Sequence, residues 1–207
     1  NADLYNKRAD ECVEDIFKYH VKKDLGCTLE SVSLDGTPRL NITEGRVVNP
    51  GHDIECSWFL MERANQIGDK ELHAKAVEIF DMAFEKGWDK EYGGLLYFFD
   101  CLGNPPEAYE HDMKLWWPQC EAMIALRLAY LQFGDEKYNA FYEKVKEYCE
   151  KYFCDDECGE WYGYLHYDNT VSNTLKGNIF KGPFHIPRLY MIMASMDDTN
   201  GIVEYMK

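Results

Sequence analysis

No Cys-x-x-Cys pair occurs among the eight cysteines of this 207-residue chain, which are Cys12, Cys27, Cys56, Cys101, Cys120, Cys149, Cys154 and Cys158. A structural zinc site needs paired spacings, and disulfide frameworks belong to much shorter secreted chains, so no metal is expected and the thiols read as reduced. Basic residues are also scarce: 22 Lys and Arg stand against 37 Asp and Glu, a net charge of −15. Nucleic acid and anionic membrane surfaces both reward basic clusters, so neither is an expected partner. No apolar run approaches the roughly 20 residues that span a bilayer, and no secretory h-region opens the chain. The expected setting is cytoplasmic. A glycine-rich phosphate loop is absent as well.

Aromatic residues, by contrast, make up 15% of the chain and charged residues 29%, an ordered composition long enough for one domain with a sizeable core. Leu4 to Tyr19 carries one apolar stripe (Cys12, Val13, Ile16, Phe17) and reads as an amphipathic helix. Thr28 to Leu34 alternates like a short strand ending at the Asp35-Gly36 turn. A second helix, Ile54 to Ala64, is apolar nearly all round, whereas the third, about Asp69 to Lys86, again has one stripe. Trp116 to Phe133 repeats the apolar type, Glu136 to Phe153 the striped type, and the helix opened by Lys181 to Arg188 is once more apolar all round. His20 and His73 fall on the striped helices and are expected to be solvated.

This alternation is an internal repeat. The turn glycines Gly26, Gly93 and Gly159 lie 67 and 66 residues apart, and the helix openings around His52, Trp117 and His185 lie 65 and 68 apart. Each unit comprises an outer amphipathic helix, a short β-hairpin and a buried inner helix. Such units form an all-α toroid of helical hairpins in which the inner-helix starts converge on a central pocket. Three hairpins leave inner helices this apolar uncovered on their far sides. Together with the absence of an initiating Met, this leads to the expectation that residues 1–207 are the C-terminal half of one domain, with about 200 residues upstream.

The helix openings carry the chemistry. Asn49-Pro50-Gly51 is a turn signal, and His52, Asp53 and Glu55 fall on the first turn that follows. His52 and Glu55 share one face, where a carboxylate can fix the tautomer of an imidazole. The second opening supplies Trp116, Trp117 and Glu121, the third His185 and Arg188. Two imidazoles facing one pocket suit proton abstraction next to a carbonyl: one takes a proton from one face and the other returns a proton to the opposite face. Arg188 or Lys114 can stabilise the resulting oxyanion. The two tryptophans offer a flat surface to the C–H face of a sugar, with Glu121 accepting from its hydroxyls.

Asn-Pro-Gly-His-Asp-Ile-Glu (49–55), Lys-Leu-Trp-Trp-Pro-Gln-Cys-Glu-Ala (114–122), Gly-Glu-Trp-Tyr-Gly-Tyr (159–164) and Lys-Gly-Pro-Phe-His-Ile-Pro-Arg (181–188) resemble the C-terminal half of the N-acylglucosamine 2-epimerase family. The resemblance implies an (α/α)6 barrel, of which this chain supplies about three hairpins, and interconversion of N-acetylglucosamine and N-acetylmannosamine. It implies that His52 and His185 are the paired acid/base residues, that Glu55 serves the first of them, and that Trp116, Trp117 and Glu121 contact the sugar. It also implies a homodimer, no required cofactor, and in some members a nucleotide activator such as ATP bound outside this segment. Some pocket groups of the family lie outside it too, so the segment alone is expected to be inactive. Gln119 matches the cellobiose 2-epimerases of the family, while Phe-His-Ile-Pro-Arg (184–188) matches the N-acyl enzymes better. Cellobiose 2-epimerase and aldose-ketose isomerase are therefore the competing activities within the family. Two rivals come from outside it: an inverting glycoside hydrolase using Glu55 and Glu121 roughly 6.5 to 9.5 Å apart, and a non-catalytic binding scaffold.

Overall fold

Asn49 starts the first inner helix: its side-chain oxygen accepts from the backbone N–H groups of Gly51 (2.9 Å) and His52 (3.3 Å), and Pro50 takes the position where no N–H is needed. The helix therefore begins four residues earlier than the apolar pattern alone suggests. The computed structural model describes residues 2–199. Its outer helices are α1 (Ala2–Asp15), continued by a π-turn at Ile16–His20, α3 (Lys70–Gly87) and α5 (Glu136–Tyr152). The inner helices are α2 (Pro50–Ile67), α4 (Trp116–Phe133) and α6 (His185–Thr199). Gly68 and Gly134, both with positive φ, end α2 and α4, and Asp69 and Asp135 cap α3 and α5. Each of these landmarks lies 66 residues after its counterpart, so the repeat in the sequence is a repeat in the chain path.

The all-α fold with short strands is as expected, but the strands are arranged differently. Only β1 (Val21–Lys22) and β2 (Cys27–Thr28) form a hairpin within one unit. The other two sheets join consecutive units: β3 (Val47–Val48) pairs with β4 (Phe99–Asp100), and β5 (Lys114–Leu115) with β6 (Tyr164–Leu165). The residues before α2 and before α4 are extended and offer a free edge, which the following unit fills. The local hairpins there shrink to single bridges, Trp88 to Leu95 and Cys154 to Trp161. The strand anticipated over Thr28 to Leu34 shrinks likewise, leaving the ladder after Thr28 and closing its bend by a bridge from Val32 to Pro38.

Helix α4 lies between α2 and α6 and is buried on every side from Trp116 to Leu126. The flanking inner helices are not. Phe59 on α2 and Tyr190 and Met191 on α6 are exposed, because only the middle helix of a row of three has neighbours on both sides. The expectation of solvated histidines fails for His73. It is 1% exposed, its ring set edge-on against Phe133, because the buried arc of α3 runs through Ala76, Val77 and Phe80 and takes in position 73 as well. His20 is half-buried, its Nδ1 2.7 Å from the carbonyl oxygen of Leu29 in the β1–β2 hairpin. Among the described residues no helix is long and apolar enough to cross a membrane.

Glu62 on α2 is 5% exposed, and among the described residues neither carboxylate oxygen has a hydrogen-bond partner. Burial pushes its pKa up to about 7 from an ordinary 4.5. The folded state then holds a proton that the unfolded state has released, so stability falls as pH rises from about 4.5 to about 7, by about 3 kcal/mol in all. Urea unfolding at pH 5 and pH 8 is expected to show this fall in the native protein and to lose most of it in Glu62→Gln.

Candidate active site

Three inner-helix openings meet at one cleft of about 530 Å³. His52 and Glu55 come from the first turns of α2, Trp116 and Trp117 from the start of α4, and His185 is the first residue of α6. The indole of Trp117 lies against both imidazoles, with ring centres 5.0 Å from His52 and 5.5 Å from His185. Gly51 permits this: a Cβ there would stand 2.6 Å from the indole, so only glycine lets α2 approach α4 so closely. Asp53, the other carboxylate of the first turn, points away from the cleft and accepts from the backbone N–H of Thr28 at 3.0 Å. That bond docks the β1–β2 hairpin onto the start of α2.

Each imidazole has a carboxylate at Nδ1, and the one at His52 is not the one that spacing implies. Glu55 does not hold His52; Glu30, in the loop after β2, does, at 2.7 Å. That contact holds the pKa of His52 above its ordinary value, against the opposing effect of burial. Glu55 instead accepts from Arg188 at 2.5 Å. Glu121, fully buried, stands 2.7 Å from His185 Nδ1 and accepts from Arg188 at 2.7 Å and from the indole N–H of Trp58 at 2.8 Å. Geometry thus makes Glu121 an orienting group for His185 and leaves it off the cleft wall. Glu55, Glu121 and His185 bring their ligand-type atoms within 4.8 Å of one another, and the cation among them is the guanidinium of Arg188.

Lys114 takes a different place from the one the sequence suggests. Its ammonium is fully buried, paired with Asp89 at 2.6 Å and donating to the carbonyl of Tyr167 under the rings of Tyr92 and Tyr167. Burial pulls its pKa down while Asp89 opposes. It fastens the turn after α3 to the loop after β6 and does not reach the cleft. Gln119 is likewise internal, accepting from the Leu95 N–H (3.1 Å) and donating to the carbonyls of Leu95 (3.2 Å) and Leu115 (3.3 Å). It therefore carries no information about the substrate.

Tyr97, Glu110, Met113, Tyr164 and Phe180 also line the cleft. All sit in the connections before the inner helices, where periodicity is silent, though the repeat offers one signal. Backbone bonds from Leu29 to His20, Leu96 to Gly87 and Tyr162 to Phe153 mark the same point in each unit. The residues that follow, Glu30, Tyr97 and Gly163, are therefore counterparts.

A model of the family described as N-acylglucosamine 2-epimerase (GlcNAc 2-epimerase) matches residues 1–185. The chain belongs to the N-acylglucosamine 2-epimerase family. It is 44% identical over 188 residues to the N-acylglucosamine 2-epimerase of Mus musculus, covering 90% of this chain and 44% of that one. Identity to a cellobiose 2-epimerase of Ruminococcus albus is 28% over 209 residues, covering 92% and 49%. The chain thus spans about half the length of the curated relatives it matches. A crystal structure of a D-mannose isomerase superposes with a TM-score of 0.77 at 22% identity, covering 93% of this chain and 51% of that one, which shows that the fold is shared. The three hairpins are of the (α/α)6 barrel type.

Glu121 is the charge that ties α4 to α2 and α6 beside the cleft. Glu121→Ala leaves Arg188 with only the half-buried carboxylate of Glu55 and Trp58 without an acceptor, and is expected to cost about 3–5 kcal/mol. Glu121→Gln, which keeps the volume, is expected to cost less. Thermal unfolding of the two variants checks the order.

Proposed function

We propose that this chain carries the acid/base half of a sugar 2-epimerase that interconverts N-acetylglucosamine and N-acetylmannosamine in their open-chain forms. One observation carries the reading: His52 and His185 both pack against one indole in one cleft, each with a carboxylate at Nδ1. In both, that leaves Nε2 as the nitrogen that exchanges a proton with a ligand. One imidazole takes the proton from C2 beside the carbonyl, the carbon–hydrogen pair moves into an enolate, and the other imidazolium returns a proton to C2 from the opposite face. Every proton removed from carbon is matched by one returned, and the carbonyl is restored. Trp116 and Trp117 supply the apolar wall, while Tyr97, Tyr164 and Glu110 supply polar atoms for hydroxyl groups.

Identity of 44% to the mouse N-acylglucosamine enzyme against 28% to the Ruminococcus cellobiose enzyme favours the N-acyl sugar. A hydrolytic role for the carboxylates has little support. The nearest oxygens of Glu55 and Glu121 share one guanidinium nitrogen, too close for the water that an inverting pair must hold between its carboxyls. Three further hairpins, from outside residues 1–207, complete the ring in this reading. Support comes from the half-length match to the relatives and from the apolar groove between α1 and α2 (Val13, Ile16, Phe59, Leu60), which adjoins His52.

The test is N-acetylmannosamine in D2O with the full-length gene product. Deuterium is expected at C2 of both epimers, and His52→Ala and His185→Ala are each expected to slow turnover about 100-fold or more. Epimerisation without C2 exchange, or either alanine variant at the native rate, overturns the reading. Faster turnover of cellobiose or mannose overturns the choice of sugar.

A further inference from the structure

We infer that Glu30 is a positioning residue for the reaction: its carboxylate holds the Nδ1–H of His52, commits Nε2 to the cleft and favours the imidazolium over the neutral ring. The inference rests on the two-histidine reading above and adds to it a group from the β1–β2 hairpin.

The contact is built from both sides. Glu30 follows two residues whose backbones are pinned: the N–H of Thr28 donates to Asp53 on α2, and that of Leu29 donates to the carbonyl of His20 at 3.0 Å. Leu29 is fully buried, and its own carbonyl lies 2.7 Å from His20 Nδ1. The hairpin is thus fixed to the same helical turn that bears His52, and Glu30 leaves it already aimed at the imidazole. Its counterpart in the second unit, Tyr97, lines the cleft, so this position faces an inner-helix opening in two successive units, at His52 in the first and at the cleft wall in the second.

Chemistry decides what the contact does. An Nδ1–H that donates to a carboxylate stays in place whether Nε2 is a lone pair or an N–H, so His52 gains and loses its reacting proton without turning over. The other groups around it do not provide this. Glu55 on the same helix is engaged by Arg188, and Trp117 from α4 is uncharged. His185 packs against the same indole, and Glu110 is another cleft-lining residue. On the α1 side Cys12 and Arg63 line the adjoining groove, and Arg63 is bound to Asp10. Among the described residues Glu30 is the one carboxylate in direct contact, and the raised pKa of His52 has that contact as its foremost cause. Both partners are about half exposed, so the pair contributes little to folding stability. A change of rate at constant stability is therefore its signature.

The experiment compares native protein, Glu30→Gln and Glu30→Asp, all as full-length product. In Glu30→Gln, kcat is expected to fall about 10- to 100-fold with KM and melting temperature nearly unchanged. The His52 ring, followed by NMR without substrate, is expected to titrate at lower pH than in the native protein. In the pH profile, the limb governed by His52 moves to lower pH: the alkaline limb in the direction where His52 is the acid, the acid limb in the direction where it is the base. Glu30→Asp recovers part of both effects. Native rates and profile in Glu30→Gln, or an unmoved His52 titration, overturn the inference. Should C2 exchange in D2O be absent altogether, the epimerase reading fails while the NMR titration still decides whether Glu30 governs His52.

Discussion

A carboxylate with no access to water, Glu121, is the constraint on which the rest of the structure depends. An ionised carboxyl group in a protein interior is tolerated only when donors surround it, and the donors here come from two other helices: the indole of Trp58 on α2, and Arg188 and the His185 ring on α6. Burial of one charge in α4 thus fixes where the starts of α2 and α6 must lie. Arg188 extends the arrangement to Glu55 at the cleft, so the cation–carboxylate chain crosses all three inner helices. Replacing this network with apolar groups would suit stability equally well. Its retention fits a site whose imidazoles must be held at defined angles.

The wall in front of that network is aromatic. Trp117 packs against both imidazoles, and its place depends on the missing side chain of Gly51. The flat face of an indole also tolerates a cation beside it. Packing and electrostatics therefore meet in the same residue.

Much of the architecture was legible in the sequence because helical periodicity records burial directly. The all-apolar run of Trp116 to Phe133 is the middle inner helix, and the repeat spacing is the spacing of the units. The convergence of His52, Trp117 and His185 followed from that repeat. Assignments that failed were those made from neighbours in sequence. Glu55 lies one turn from His52 yet pairs with Arg188, because α6 brings a stronger, bidentate-capable cation to it. Lys114 adjoins the site in sequence but points inward to Asp89, and Glu30 lies in irregular chain where no period operates. His73 shows the same limit on a regular element: the apolar arc of α3 is broad enough to enclose a polar residue at its edge.

The strand pairing places the repeat of the sequence and the repeat of the fold out of phase. A segment cut at the sequence boundaries keeps β3 without β4, or β5 without β6, since each ladder is shared between one unit and the next. No single unit is therefore a self-sufficient module, and the row of three hairpins gains its continuity from being stitched edge to edge. Duplication of such a chain yields a viable product only when the copy arrives beside a neighbour whose edge is open to receive it.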